Sequence, residues 1–172
     1  MLRATTDGGS SWQPRNTPTA NNLNGIASAS AQILVAVGSN KTILRSSDGG
    51  SSWTQVFIPG QNYHLLDVFF VDSQYGWAVG EVGVLLRSSN GGSSWAALTS
   101  GTGNGLEGLD LAGGVVVAVG LYGDIQRSTN GSDFTSRSTG PRSTWNAVTA
   151  ASPTRAWAVG RGGRLAVSSN AG

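Results

Sequence analysis

One nine-residue phrase returns along this chain at nearly constant spacing, and that recurrence restricts its fold more than any other feature. It reads Arg45-Ser46-Ser47-Asp48-Gly49-Gly50-Ser51-Ser52-Trp53 and comes back as Arg87-Ser88-Ser89-Asn90-Gly91-Gly92-Ser93-Ser94-Trp95. A shortened copy runs from Arg127 to Phe134, and partial copies stand near either end, Thr5 to Trp12 and Ser168 to Gly172. Its Asp/Asn position falls at Asp7, Asp48, Asn90, Asn130 and Asn170, at intervals of 41, 42, 40 and 40 residues.

A second phrase keeps the same period: Val35-Ala36-Val37-Gly38, Trp77-Ala78-Val79-Gly80, Val117-Ala118-Val119-Gly120 and Trp157-Ala158-Val159-Gly160. About a dozen residues before each comes an apolar pair: Leu23/Ile26, Leu65/Val68, Leu106/Leu109 and Trp145/Val148. Each unit therefore reads as strand A on the apolar pair, strand B on Ala-Val-Gly, strand C before the Asp/Asn turn, and strand D from the aromatic onward. The segments are short, rich in β-branched residues and bounded by Gly, Asn and Ser, which is strand and hairpin chemistry. No stretch sustains a 3.6-residue period, so essentially no helix is expected. Four strands per roughly forty residues predict an all-β fold: a β-propeller of four-stranded antiparallel blades, four per chain. Burial of both sheet faces accounts for strand B being apolar without alternation.

Composition agrees. Glycine contributes 26 of the 172 residues and charged residues only 12%, a mix suited to tight turns, while six Trp argue against disorder. A net charge of +2 gives no footing for a nucleic-acid partner. With no cysteine, disulfides and thiolate metal sites are excluded. No apolar run is long enough to span a membrane as a helix. The compartment is not legible.

The Ser-x-Asp-x-Gly-x-Ser-Trp phrase reads as a structural turn, an Asp-box. Its carboxylate can accept amide hydrogens within its own turn, glycine supplies positive φ, and the aromatic (Trp12, Trp53, Trp95, Phe134) can wedge between blades. Asn at 90, 130 and 170 keeps an acceptor oxygen, a change that a catalytic or Ca²⁺-ligating carboxylate tolerates poorly. A phosphate cradle is the functional alternative, but no Gly-Lys-Ser/Thr follows and no helix is available to hold an anion. Neither metal nor cofactor is expected.

The blades fall at about 22–58, 64–99, 105–137 and 145–170, making residues 1–172 a single repeat domain. The last blade lacks a strand D, and residues 10–15 are expected to supply it from the N-terminus. Residues 1–9 and 164–172 then compete for one strand-C place, so one end is expected to fray or pair elsewhere. Three geometries stay open: a four-bladed ring, half of an eight-bladed homodimer, or a part of a longer propeller. The repeat count favours self-association.

The order Trp77-Ala78-Val79-Gly80, Gly83, then Leu85-Leu86-Arg87-Ser88-Ser89-Asn90-Gly91-Gly92-Ser93-Ser94-Trp95 resembles the photosystem II stability/assembly factor family of propellers. The resemblance covers nearly the whole chain. It implies a non-enzymatic, chaperone-like scaffold that binds a membrane-protein subunit. It also implies a basic patch, which falls on Arg45, Arg87 and Arg127, the residue preceding each box; Val167 and Ala4 occupy the position elsewhere. A patch of this kind grips carboxylates or phosphates bidentately. The structural alternative has each Arg stem packed between blades and its guanidinium on local carbonyls.

Catalysis finds little support. Two glutamates, Glu81 and Glu107, and three tyrosines, Tyr63, Tyr75 and Tyr122, do not compose a sialidase site. Asp67, Asp110 and Glu107 could form a carboxylate pair on strand A, but solvated channel residues are the simpler expectation. His64 is the sole histidine, so His metal sites and Ser-His-Asp triads lack their parts. The expectation is a non-enzymatic protein-binding scaffold contacting its partner through one end of the ring. That end is either the box end with the three arginines or the opposite end, with Tyr63, His64, Glu81, Tyr122 and Arg161. A carbohydrate-binding propeller is the rival, and a fragment or engineered chain without a ligand is the third reading.

Overall fold

A computed structural model describes residues 2–137 and 143–169. Three sheets carry the four strands read from each repeat. The first is Leu23–Ser28, Leu34–Gly38, Thr42–Ser46 and Thr54–Gln55, the second Leu65–Phe70, Gly76–Gly80, Leu85–Ser88 and Ala96–Leu98. The third is Leu106–Ala112, Val115–Gly120, Ile125–Ser128 and Thr135–Ser136. In each, A, B, C and D pair in sequence order and antiparallel. A last sheet has three strands, Trp145–Ser152, Arg155–Gly160 and Arg164–Ser168. Among the described residues helix is confined to 3₁₀ turns at Glu81–Gly83, Leu121–Gly123 and Arg161–Gly163, the B–C turns of the last three sheets. Among the described residues no helix is long and apolar enough to cross a membrane.

The sheets stack face to face in chain order. Calling the face toward the next sheet trailing and the other leading, Val35, Val37 and Ile43 on the first trailing face pack with Leu65, Val68, Ala78 and Leu86 on the second leading face. Trp77, Val79 and Leu85 meet Leu106, Leu109, Val116 and Ala118 at the next junction. Val117 and Val119 meet Trp145 and Ala158 at the third. In the second and third sheets alternate residues of strand B thus serve opposite junctions and all are buried, each large aliphatic side chain contributing about 1.5–3 kcal/mol on transfer from water.

The strands A of neighbouring sheets are tied by side chains. Asn24 Nδ2 donates to Leu65 O at 2.7 Å, Leu109 N donates to Asp67 Oδ2 at 3.1 Å, and Ala150 N donates to Asp110 Oδ2 at 2.8 Å. These half-buried aspartates are therefore not solvated channel residues, as the sequence led us to expect; they clamp one sheet to the next. Burial pushes the Asp67 carboxyl up, against the two backbone amides that bond it.

The N-terminus corrects a second expectation. Gln13–Arg15 does not complete the last sheet but pairs with Leu2–Ala4, in the register Leu2↔Arg15, Arg3↔Pro14 and Ala4↔Gln13. The physical reason is local: a complete box joins the two strands, so closure costs only a short loop. Leu2 then packs against Ala36, Leu44 and Trp53 on the leading face of the first sheet. Arg164–Ser168 takes the strand-C place of the last sheet, and of the two competing ends it is the N-terminal one that pairs elsewhere, Leu2–Ala4 with Gln13–Arg15. Among the described residues no strand pairing joins the last sheet to the first or to the hairpin.

Candidate functional site

The box turns lie at the C–D end. In the first sheet Asp48 Oδ1 accepts the Ser46 hydroxyl at 2.7 Å and Ser52 N at 2.9 Å, while Oδ2 accepts the Ser52 hydroxyl at 2.6 Å. These bonds hold the Asp48 carboxyl down at about 2. The same cage around Asp7, formed by Ser11 and Thr5, holds its carboxyl well below the usual range. Asn90 keeps the geometry with one bond reversed: its Oδ1 accepts Ser94 N at 2.9 Å, and its Nδ2 donates to Ser94 Oγ at 2.8 Å. In the shortened copy Asn130 Nδ2 donates to Asp133 Oδ2 at 2.7 Å. Asn170 lies outside the described residues. Trp53 and Trp95 close their own turns, each Nε1 donating to a box carbonyl (Gly50 O and Gly92 O) at 3.2 Å. Trp95 also meets Phe70 edge to face at 5.8 Å, Phe134 packs into the second junction, and Trp12 is exposed.

The three arginines emerge at this end, and two of them reach across to the next sheet. Arg45 Nε donates to Gly91 O at 2.7 Å, across the first junction. Arg87 Nη1 donates to Ser132 Oγ at 3.2 Å, across the second, and its guanidinium lies 5.2 Å from the Tyr75 ring centre and 5.8 Å from that of Trp77. All three side chains are half-buried. Beside Arg87 a groove of about 290 Å³ opens between the second and third sheets, lined by Val71, Tyr75, Trp77, Leu111 and Gly131.

At the opposite end, the segment entering each sheet caps the B–C turn through one carbonyl. Ser39 N donates to Asn22 O, Glu81 N to His64 O, Leu121 N to Gly105 O and Arg161 N to Thr144 O, at 2.9–3.1 Å. The glycine before each turn sits against that carbonyl; a Cβ on Gly80 would lie 2.1 Å from His64 O. His64 is built into this seam: its Nδ1 accepts Asn40 N at 3.2 Å, and its Nε2 stands 4.0 Å from Glu81 Oε2. Tyr63 packs its half-buried ring against the first junction, which raises its phenol pKa. Among the described residues no three His, Asp or Glu side chains gather as metal ligands.

The turn tips carry a feature the sequence reading passed over. Asn40, Val82 and Tyr122 occupy one repeat position, all with left-handed φ of 54°, 52° and 57°; the last sheet has Gly162 there, φ 70°. A β-branched or bulky residue in that conformation costs about 1–2 kcal/mol. Neither side chain recovers the cost by packing, for Val82 is 67% and Tyr122 60% exposed. The repeat frame alone contained the signal, since it sets Val82 against a glycine. Arg161 and Arg164 are exposed on the neighbouring turn.

Stacked antiparallel sheets joined by Asp-box turns define a propeller-type repeat protein. The chain belongs to the family described as photosynthesis system II assembly factor YCF48, whose pattern matches residues 1–151. Among solved structures it is similar to YCF48 bound to D1 peptide, at 20% identity and TM-score 0.74 over 96% of this chain and 55% of that one. YCF48 from Cyanidioschyzon merolae gives 21% identity and TM-score 0.74 over 98% and 59%. An ancestral GH74 enzyme gives 17% identity and TM-score 0.70 over 94% of this chain and 24% of that one. The chain thus spans little more than half the length of the YCF48 structures. No curated protein sequence matches it.

Proposed function

We propose that this chain is a non-catalytic interaction module that binds a peptide segment of a partner protein at its B–C end. The observation that carries the reading is the pair Val82 and Tyr122, both exposed and both held in left-handed backbone. An outlier with no return inside the fold points to a contact outside it. Two apolar tips beside exposed Arg161 and Arg164 fit an extended segment carrying apolar side chains and a carboxylate. Arg45 and Arg87 act on this reading as staples between sheets.

Support for a peptide ligand comes from the family and from the similarity to YCF48 bound to D1 peptide. The absence of catalysis is part of the proposal, since a GH74 enzyme shares the fold. Titration of the chain against immobilised D1 peptide tests it. Binding that weakens about tenfold or more in Val82→Gly and Tyr122→Ala is expected. Saccharide binding on a glycan array without peptide binding overturns it, as does peptide binding indifferent to both substitutions but lost in Arg45→Ala.

A further inference from the structure

We infer that the groove between the second and third sheets is a second binding site, taking a short acidic segment of a partner protein on the Gly131 amide and the Arg87 guanidinium. It lies at the box end and is independent of what the B–C tips bind. Both sheets are complete, and each is packed between two others.

The first two sheets show how a box turn is closed. In each, the A–B connection gives the turn a backbone carbonyl: Gly49 N donates to Gln32 O at 3.0 Å, and Gly91 N donates to Gln74 O at 2.9 Å. Those connections span residues 29–33 and 71–75. In the third sheet the connection is only Gly113 and Gly114, a tight turn with both residues left-handed at φ 54° and 83°. Counted back from the Ala-Val-Gly phrase, Gly114 stands at the position of Gln32 and Gln74. It brings no side chain, and no acceptor among the described residues takes Gly131 N. A backbone amide left in this way is met by a ligand carbonyl at the place where the sister turns use a loop carbonyl.

The groove of about 290 Å³ runs past this turn, with Val71, Tyr75 and Trp77 on one wall and Leu111, Gly114 and Gly131 on the other. At the first junction the corresponding space is filled from within: a Cβ on Gly91 would lie 2.7 Å from Ser73 O and 3.3 Å from Ile33 Cδ1. At the second junction Tyr75, in the repeat position of Ile33, is 41% exposed. The shorter connection of the third sheet therefore leaves an apolar cleft with one unmet donor at its side.

Charge names the occupant. Arg87 is the one charged residue lining the groove, and no carboxylate pairs with it among the described residues. Its Nη1 donates to Ser132 Oγ and its guanidinium lies 5.2 Å from the Tyr75 ring centre, which holds the cation in place at the wall. A carboxylate entering the groove forms a charge-assisted hydrogen bond there while the staple to Ser132 stays made. Apolar walls, one amide donor and one guanidinium fit a segment with an apolar side chain, a backbone carbonyl and an acidic residue. A basic segment meets Arg87 with like charge, and a purely apolar one leaves both donors unmet.

The chain supplies its own probe: Val71-Asp72-Ser73-Gln74-Tyr75, whose Gln74 carbonyl closes the Gly91 turn, made as a capped synthetic peptide. Titrated into isotope-labelled chain and followed by NMR, it is expected to shift the Gly131 amide saturably and leave those of Gly49 and Gly91 in place. In the free chain the Gly131 amide is expected to exchange its hydrogen faster than that of Gly91, and to slow when the peptide binds. Gly114→Asn keeps the left-handed turn and puts a side chain into the groove, where a Cβ meets nothing within 4 Å. It and Arg87→Gln are each expected to weaken peptide binding about tenfold or more, with circular dichroism unchanged. Val82→Gly is expected to leave this binding as it is. A Gly131 amide as protected as that of Gly91 in the free chain overturns the inference without any variant. So does a titration that leaves Gly131 unmoved or shifts all three box amides alike. Binding indifferent to both groove substitutions, or lost in Val82→Gly, overturns it as well.

Discussion

Trp77 takes the acceptor that Arg87 would otherwise use: its Nε1 donates to Gly131 O at 2.8 Å. At the preceding junction the equivalent carbonyl, Gly91 O, accepts Arg45 Nε at 2.7 Å, and Val35 stands where Trp77 does. Arg87 Nε is left buried without a partner among the described residues, its guanidinium held instead by the Tyr75 and Trp77 rings. One residue of strand B thus decides whether a junction is closed by an indole or a guanidinium.

Trp77→Val should therefore cost less than its lost volume implies, because Arg87 regains Gly131 O. Trp77→Ala should destabilise by about 3–5 kcal/mol. Urea denaturation measures the coupling when Arg87→Ala is made both in the unaltered chain and alongside Trp77→Val. Arg87→Ala should be the more costly alongside Trp77→Val.

Asp48 links the fold to pH. Its carboxyl is held at about 2 against an ordinary value of 3.8, so it contributes stability that is fully present above pH 4 and is lost as pH falls toward 2. Asp48→Asn should be nearly neutral at pH 7, since Asn90 preserves the same turn with one bond reversed. Denaturation midpoints between pH 2 and 7 should show a shallower acid loss for the variant.

Val82→Gly should stabilise the isolated chain by about 1 kcal/mol through relief of the left-handed backbone. A higher Tm together with weaker peptide binding is the expected signature. The legibility of the chain divides at this residue. The repeat phrases placed strands A to D, the box turns and the recurring glycines. Val82, read without its repeat partners, was an ordinary β-former whose strain is visible only in its φ.

Gly80→Ala should destabilise by about 3 kcal/mol or prevent folding, because its Cβ would stand 2.1 Å from the His64 carbonyl. Gly103→Ala, where a Cβ meets nothing within 4 Å, is the control. Thermal melts of the two should separate clearly.

Asp67→Ala should cost about 1–3 kcal/mol by leaving Leu109 N unpaired between the strands A. The raised Asp67 carboxyl has the opposite pH sense to Asp48: the folded chain holds this proton more tightly, so its contribution weakens as pH rises through its folded pKa. Urea midpoints of Asp67→Asn should lack that component.

The sequence by itself determined the repeat unit, its four strands and its turn chemistry, because those depend on interactions within about forty residues that recur with the period. Tertiary structure decided what each strand meets. Gln13–Arg15 was legible as a strand D, but pairing it with Leu2–Ala4 follows from the short closed loop and the packing of Leu2 on the first sheet. Asp67 and Asp110 were legible as carboxylates on strand A, yet the amides they clamp lie about forty residues away, across a junction that exists only once the sheets have stacked.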